Sequence, residues 1–239
     1  MKYRAAIFDM DGTVLDTVGD LKDAVNYTME HLGKKCDFTD ADAKLLFGSG
    51  VRVALIRAFA VINGIASGYD LLKVGTENDD ISKHIDMEEI ARAEAIYKPY
   101  YSSHNDIKTG EYPGITTLLK DLRKAGILTS VVSNKPDDSV ISLSNNLFSG
   151  LFDICLGEKD GINRKPAPDM TLKVLDELNV ECRDAVYIGD SEIDLLTAEN
   201  SGLDCIAVSW GFRSREFLKD HGAKIIADTA EDIKHILCG

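Results

Sequence analysis

The stretch AAIFDMDGTVLD, residues 5–16, decides the fold of this chain. Its first four residues are apolar and short enough for a buried strand, and they run directly into Asp9. Asp11 follows two residues later, and Gly12 lets the backbone turn sharply after it. In open parallel sheets, ligands bind outside the carboxyl ends of the strands. The stretch therefore predicts a buried strand that delivers two carboxylates to a ligand site.

The rest of the chain continues this pattern of short apolar runs. Five more predicted strands are 127–132, 152–156, 185–188, 205–208 and 224–227. Apolar residues at helical spacing predict helices between them, at 115–124, 168–178 and 192–200. Strands that alternate with helices are typical of an α/β fold with a doubly wound parallel sheet.

One long segment interrupts the alternation after the first strand. Residues 18–105 contain apolar residues at helical spacing and no convincing strand, and residues 64–86 favour a loop-rich connection. We therefore expect an α/β core formed by residues 1–17 and 106–239, with an inserted helical subdomain at 18–105.

Composition limits the classes of partner. The 239 residues carry a formal net charge of −13, which disfavours nucleic acid and anionic membranes as partners. The five cysteines form no C-x-x-C pair, the first residues do not resemble a signal peptide, and no run approaches the roughly 18 apolar residues of a membrane span. We expect a cytoplasmic protein, either a monomer or a homodimer. Any site for a phosphorylated ligand needs a metal ion or local positive charge.

The polar residues at the predicted strand ends supply such a site. They are Asp9, Asp11, Ser133, Asn134, Asp190 and Asp194, with Lys165 in the connection before the fourth strand. If the strands lie side by side, these groups converge, and their carboxylates repel one another unless a cation joins them. Oxygen-only ligands beside a substrate phosphate suit Mg²⁺. The residues thus predict a magnesium site with one lysine beside it.

The same residues carry a family resemblance. Residues 9–16, DMDGTVLD, resemble the first motif of the haloacid dehalogenase superfamily. Residues 133–135, 165–168 and 189–194 resemble its second, third and fourth motifs, so the resemblance spans the core from end to end. The helical insert is similar to the small cap of the phosphoglycolate phosphatase branch, which 47–52 and 134–136 also resemble. The resemblance implies a HAD-like Rossmannoid core with a helical cap.

The resemblance also implies a role for each residue. Asp9 would be the nucleophile that forms an aspartyl-phosphate, and Asp11 the general acid and then the general base. Ser133 and the Asn134 amide would hold phosphate oxygens, and Lys165 would neutralise the transferring group. Asp9, the Asp11 carbonyl and Asp190 would hold Mg²⁺, with Asp194 either a direct ligand or a support for one.

The implied function is hydrolysis of a small phosphate ester, with phosphoglycolate as the first compound to test. Asp11 favours hydrolysis, since dehalogenating members of the superfamily lack the second aspartate. A phosphomutase acting on a sugar phosphate, a pyrophosphatase or a nucleotidase remains an alternative within the superfamily. A non-catalytic binding protein is disfavoured because both Asp9 and Asp11 are present.

Overall fold

The structure is a computed structural model, and it describes residues 2–239. Its residue contacts divide the chain into two compact units. The core unit contains the residues up to Asp16 together with Gly110–Gly239, and the insert unit is Thr17–Thr109. This division lies one residue before and four residues after the predicted limits of 18 and 105.

The core unit contains all the strands within residues 2–239. They are β1 Ala5–Phe8, β2 Leu15–Asp16, β3 Gly110–Glu111, β4 Leu128–Pro136, β5 Ile154–Glu158, β6 Ala185–Gly189, β7 Asp204–Val208 and β8 Ile225–Ala227. Six of them form a parallel sheet in the order β5-β4-β1-β6-β7-β8, while β2 and β3 form a separate antiparallel pair. The predicted doubly wound parallel sheet is confirmed, and β1 lies at its centre.

The helices over the same residues fall into both units. They are α1 Val18–His31, α2 Asp40–Leu46, α3 Val51–Ile62, α4 Met87–His104, α5 Ile115–Lys124, α6 Asp137–Phe148, α7 Asp169–Leu178, α8 Glu192–Ser201, α9 Arg215–Asp220 and α10 Ala230–Cys238. Helices α1–α4 belong to the insert unit and α5–α10 to the core unit. None of the helices in residues 2–239 is both long enough and apolar enough to cross a bilayer.

Strand β1 is fully buried because the sheet has a hydrophobic cluster on each face. Ala6 and Phe8 belong to the cluster that includes the buried face of α5, and Ala5 and Ile7 belong to the cluster that includes α7. This alternation follows from the two-residue period of a strand. A strand apolar on both faces is what the run AAIF predicts, and it fixes the position of Asp9 at the strand end.

Strand β4 is longer than the sequence predicts. The predicted strand ends at Val132, with Ser133 and Asn134 after it, but β4 continues to Pro136. Pairing with β5 shifts register between Val132 and Pro136, so the polar residues occupy an irregular end of the strand. Polar residues hide the strand from a hydrophobic pattern, although Ser133, Asn134 and Lys135 are all buried.

The insert unit is helical, and its least regular part is the segment predicted to be loop-rich. Within it, Gly68–Lys73 and Ser82–His84 form short 3₁₀ turns. The buried carboxylate of Asp20 accepts hydrogen bonds from the backbone N–H groups of Lys108 and Thr109 and from the Thr109 hydroxyl. These bonds join the first helix of the insert to its last residues.

Candidate active site

Asp9 lies at the carboxyl end of β1, where the chain winds into a tight loop. The N–H groups of Thr13, Val14 and Leu15 all point to the carbonyl oxygen of Met10. The Met10 N–H donates to Asp9 Oδ1 at 2.6 Å, which fixes the carboxylate against the start of the loop. Among residues 2–239, no hydrogen bond reaches Oδ2 of Asp9. One oxygen of this buried carboxylate is therefore held and the other is available.

Lys165 is completely buried beside Asp9. Its Nζ lies 2.9 Å from Asp9 Oδ1 and 2.8 Å from Asp194 Oδ1, and it donates to the Tyr187 hydroxyl at 3.1 Å. Burial lowers the pKa of Lys165, but the charges of Asp194 and Asp9 outweigh it and hold the pKa well above its usual value. Lys165 is therefore a permanent cation between two carboxylates.

Asp194 is bonded through both of its oxygens. Oδ1 accepts from Lys165, and Oδ2 accepts from the N–H groups of Asp190 and Ser191 and from the Ser191 hydroxyl. The Ser191 and Asp194 side chains form a capping box at the start of α8. Ser191 occupies the N-cap position of this helix.

Asp190 lies at the end of β6 and is held by two other segments of the core. Its Oδ1 accepts from the Thr13 hydroxyl at 3.0 Å, and its Oδ2 accepts from the Phe212 N–H at 2.6 Å. A Cβ atom on Gly12 would lie 2.3 Å from Asp190 Oδ2, and one on Gly211 would lie 2.3 Å from the Gly12 carbonyl. Only residues without a side chain let these three segments approach one another so closely.

Asp9, Asp190 and Asp194 form a buried acidic cluster. Each offers a carboxylate oxygen, and these atoms lie within 4.8 Å of one another. Three carboxylates and the Lys165 ammonium group carry a formal charge of −2. Burial raises the pKa of Asp9 to about 7 against the opposing charge of Lys165, and burial together with the charges of Asp194 and Asp9 raises the pKa of Asp190 well above its usual value. A divalent cation bound by oxygen ligands would relieve this repulsion.

Ser133 and Asn134 lie at the irregular end of β4. The Ser133 hydroxyl oxygen accepts from the Lys135 N–H at 3.3 Å, so its hydrogen can be donated elsewhere. The Asn134 side-chain amide donates to the Lys165 carbonyl at 3.1 Å, which ties β4 to the loop that carries the lysine. The Asn134 side-chain oxygen is buried without a hydrogen-bond partner among residues 2–239.

The family model described as haloacid dehalogenase-like hydrolase matches residues 6–208. The chain belongs to this family. Phosphoglycolate phosphatases of Psychrobacter arcticus and Rhodospirillum rubrum are 33% and 32% identical to it, over 89% and 94% of this chain and 86% and 87% of theirs. A solved candidate phosphoglycolate phosphatase from Lactobacillus delbrueckii subsp. bulgaricus is 52% identical, with a TM-score of 0.96 over 100% of both chains.

These findings confirm the predicted family and the predicted enzyme class, a phosphoric monoester hydrolase. The family match of this haloacid dehalogenase-like hydrolase includes every predicted site residue, from Asp9 to Asp194. The cluster brings together Asp9, Lys165, Asp190 and Asp194. The Asp11 side chain is engaged elsewhere, with Lys135.

Sequence reasoning missed several residues that support the site. Lys135 contacts Asp11, Tyr187 contacts Lys165, and the Phe212 N–H holds Asp190. A predicted β4 that extended to Lys135 would have indicated the contact of Lys135 with Asp11, because Ser133 and Lys135 are two residues apart and share a strand face. Nothing in the local sequence separates Tyr187 from an ordinary core residue. The Phe212 contact is a backbone contact, which no residue pattern reveals.

Proposed function

We propose that this hydrolase is a Mg²⁺-dependent phosphatase that cleaves a small phosphomonoester through a covalent phosphoryl group on Asp9. The observation that carries the proposal is the state of the Asp9 carboxylate. Its Oδ1 is fixed by Met10 and Lys165, its Oδ2 accepts no hydrogen bond from residues 2–239, and both lie in a buried acidic cluster. A fixed, desolvated carboxylate beside a permanent cation suits nucleophilic attack on a phosphoryl group.

The acidic cluster fits a magnesium ion. Its side-chain donors are all oxygens, it is buried, and its formal charge of −2 matches a divalent cation. Asp9, Asp190 and the backbone carbonyl of Asp11 would hold the ion. When bound, Mg²⁺ supplies positive charge that attracts and polarises the substrate phosphate.

Asp194 is better suited to support than to direct ligation. Its Oδ1 is bonded to Lys165, and its Oδ2 accepts three hydrogen bonds from Asp190 and Ser191. Replacing any of these bonds with a metal contact would loosen Lys165 or the start of α8. We therefore infer that Asp194 positions Lys165 and the Asp190 backbone.

The reaction has two displacements at phosphorus. Asp9 attacks the phosphorus, the bond from phosphorus to the ester oxygen breaks, and Asp11 donates a proton to the leaving oxygen. Asp11 then takes a proton from a water molecule that attacks the phosphoryl-Asp9 group, which releases phosphate and regenerates the Asp9 carboxylate. The Ser133 hydroxyl, the Asn134 N–H and Lys165 hold the oxygens of the transferring group throughout.

Phosphoglycolate is the substrate that we propose, and a panel of phosphate esters tests it. The relatives described above are named as phosphoglycolate phosphatases. We expect Mg²⁺-dependent phosphate release from phosphoglycolate with a higher kcat/KM than from pyrophosphate, a nucleoside monophosphate or glucose 1-phosphate, and loss of release in excess EDTA. Isomerisation of a sugar phosphate without phosphate release would indicate the phosphomutase alternative. No turnover of any ester with the metal present would contradict the proposal. The cytoplasmic location, the lack of nucleic-acid and membrane partners, and a monomeric or dimeric state stay predictions.

Magnesium should stabilise the protein more at higher pH. The pKa of Asp9 is raised from 3.8 to about 7, so the folded metal-free protein holds this proton more tightly than the unfolded chain. The stability contributed by this protonation is full below the unfolded pKa and is lost as pH rises through about 7. A bound cation favours the carboxylate form. We therefore expect the increase in Tm caused by Mg²⁺ to grow between about pH 5.5 and about pH 8.

Thermal melts with Mg²⁺ or EDTA across this range measure the effect. Asp204→Asn is a matched control, since Asp204 is a half-exposed carboxylate paired with Lys2 away from the cluster. In this variant, the increase in Tm caused by Mg²⁺ should depend on pH as it does in the wild-type protein. A Tm increase that is constant across the range would show that the metal does not compete with these protons.

A further inference from the structure

Lys135 forms a buried ion pair that none of the roles described above requires. Its Nζ lies 2.8 Å from Oδ1 and 3.1 Å from Oδ2 of Asp11, so it contacts both carboxylate oxygens. The Lys135 side chain is 1% exposed and the Asp11 side chain 17% exposed. An exposed pair of this kind contributes little, but a buried ammonium group has given up its hydration and depends on its partner. The contact is therefore a persistent part of the site.

The two buried lysines among residues 2–239 contact different carboxylates. Lys165 comes from the loop before α7 and contacts Asp9 and Asp194, whereas Lys135 comes from β4 and contacts Asp11. Asp11 itself lies in a loop, between β1 and β2, where its backbone makes a single isolated bridge to Leu15. A carboxylate on a loop needs an external contact to hold one orientation, and Lys135 supplies it from a buried strand.

This orientation matters for proton transfer. A general acid or base must lie within hydrogen-bond reach of the atom that it serves, and misplacement by about 1 Å is costly. Each carboxylate oxygen has two lone-pair positions, so a bond to Lys135 leaves a second position on each oxygen for the proton in transit. Holding Asp11 by both oxygens is thus compatible with its acting on a leaving group.

We propose that Lys135 is a positioning residue that holds Asp11 in the orientation required for proton transfer to the leaving oxygen. The inference rests on the proposed function, in which Asp11 is the acid and base. Lys135 acts through Asp11 and needs no contact with the substrate. Its removal should therefore slow a first displacement that needs a proton donor, and spare one that does not.

The test compares two substrates that differ in their leaving groups. The leaving group of phosphoglycolate is an alkoxide that needs a proton. The leaving group of p-nitrophenyl phosphate is a stable phenolate that needs little assistance. The single-turnover rate of leaving-group release reports the first displacement alone, since the second displacement is the same for both substrates. For Lys135→Met, we expect this rate on phosphoglycolate to fall by about 10- to 100-fold, part of the full effect of acid–base catalysis. The loss on p-nitrophenyl phosphate should be less than about threefold. Lys135→Arg keeps the cation and should recover part of the lost rate.

A double variant separates this role from general damage. If Lys135 acts only through Asp11, Asp11→Asn/Lys135→Met should be no slower on phosphoglycolate than Asp11→Asn alone. The double variant also removes both charges, so it should fold even if Lys135→Met, which leaves Asp11 unpaired, does not. In that case the rates of Lys135→Arg and of the double variant decide whether Lys135 acts through Asp11. Equal losses on both substrates, or losses that multiply in the double variant, would overturn the inference. If Asp11→Asn itself slows both substrates equally, it is the proposed role of Asp11 that fails.

Discussion

Replacing Asp9 with Asn will abolish phosphate release, with a loss in kcat of at least about 10⁴-fold for removal of the nucleophile. The substitution preserves the size of the side chain and removes the charge that attacks phosphorus. In the wild-type protein, one oxygen of this carboxylate is fixed by Met10 and Lys165 while the other accepts no hydrogen bond from residues 2–239. An amide at this position has neither the nucleophilic oxygen nor the charge to bind a cation. Steady-state phosphate release with Mg²⁺ measures the effect.

The same variant should be more stable than the wild-type protein when metal is absent. Burial raises the pKa of Asp9 to about 7, which shows that its negative charge is unfavourable in this site. Above that pH the wild-type protein keeps the charge at a cost, and the amide does not. We expect a higher Tm for Asp9→Asn in EDTA at about pH 8, and a smaller difference at about pH 5.5, which lies between the unfolded pKa of 3.8 and the folded pKa of about 7. Asp204→Asn again serves as the control for loss of a surface carboxylate.

Trapping experiments distinguish the covalent mechanism from metal-assisted attack by water. Rapid acid quenching of the wild-type protein during turnover should yield protein with one added phosphoryl group, and Asp9→Asn should yield none. If Asp9→Asn kept substantial activity, Asp9 would not be the nucleophile and the mechanism would be wrong, whatever the substrate.

The centre of the fold could be predicted because its signals are local. The run AAIF is apolar on both faces of a strand, as a buried strand of a parallel sheet requires, and Asp9 follows it directly. The position of Lys165 has a weaker signal in the sequence. Its burial between Asp9 and Asp194 depends on three separated segments, and a lysine in a loop gives no local indication of it. The family resemblance, rather than the residue pattern, identified its role.

Other parts of the site depend on contacts that no residue pattern encodes. The Phe212 N–H that holds Asp190 is a backbone group. The approach of Gly211 to Gly12 depends on the path of the loop that follows β7. The 3₁₀ turns of the insert unit also could not be predicted from the sequence, because short turns have no hydrophobic period long enough to detect. Lys135 was missed for a different reason, since polar residues at the end of β4 conceal the strand that aligns it with Ser133.

Replacing Lys165 with Met should damage both activity and stability. Lys165 is buried, and it is bonded to Asp9, Asp194 and Tyr187. Removing one partner of a buried ion pair leaves uncompensated charge, which typically costs about 3–5 kcal/mol of unfolding free energy. Removing a cation that stabilises the transferring phosphoryl group should lower kcat by about 10²- to 10³-fold or more. Chemical denaturation in EDTA and phosphate release with Mg²⁺ measure the two effects.

A surface lysine provides the matched control. Lys173 in α7 pairs with Glu177 at 2.8 Å, and both side chains are 46% exposed, so Lys173→Met should change the unfolding free energy by less than about 1 kcal/mol. The double variant Lys165→Met/Asp194→Asn should recover part of the stability lost in Lys165→Met, because it removes one of the carboxylates left without a partner. Loss of stability no greater than in Lys173→Met would contradict the idea that Lys165 compensates the acidic cluster.

The two variants together test the sign of the charge in the cluster. Asp9→Asn removes a negative charge and Lys165→Met removes a positive one, from atoms that lie 2.9 Å apart. If the cluster carries excess negative charge without metal, the first substitution stabilises the metal-free protein and the second destabilises it. Mg²⁺ should then raise the Tm of Lys165→Met, because the ion replaces part of the lost positive charge, and should raise the Tm of Asp9→Asn less, because that variant has lost a proposed ligand. Two variants that change stability in the same direction would mean that packing, rather than charge, governs the cluster.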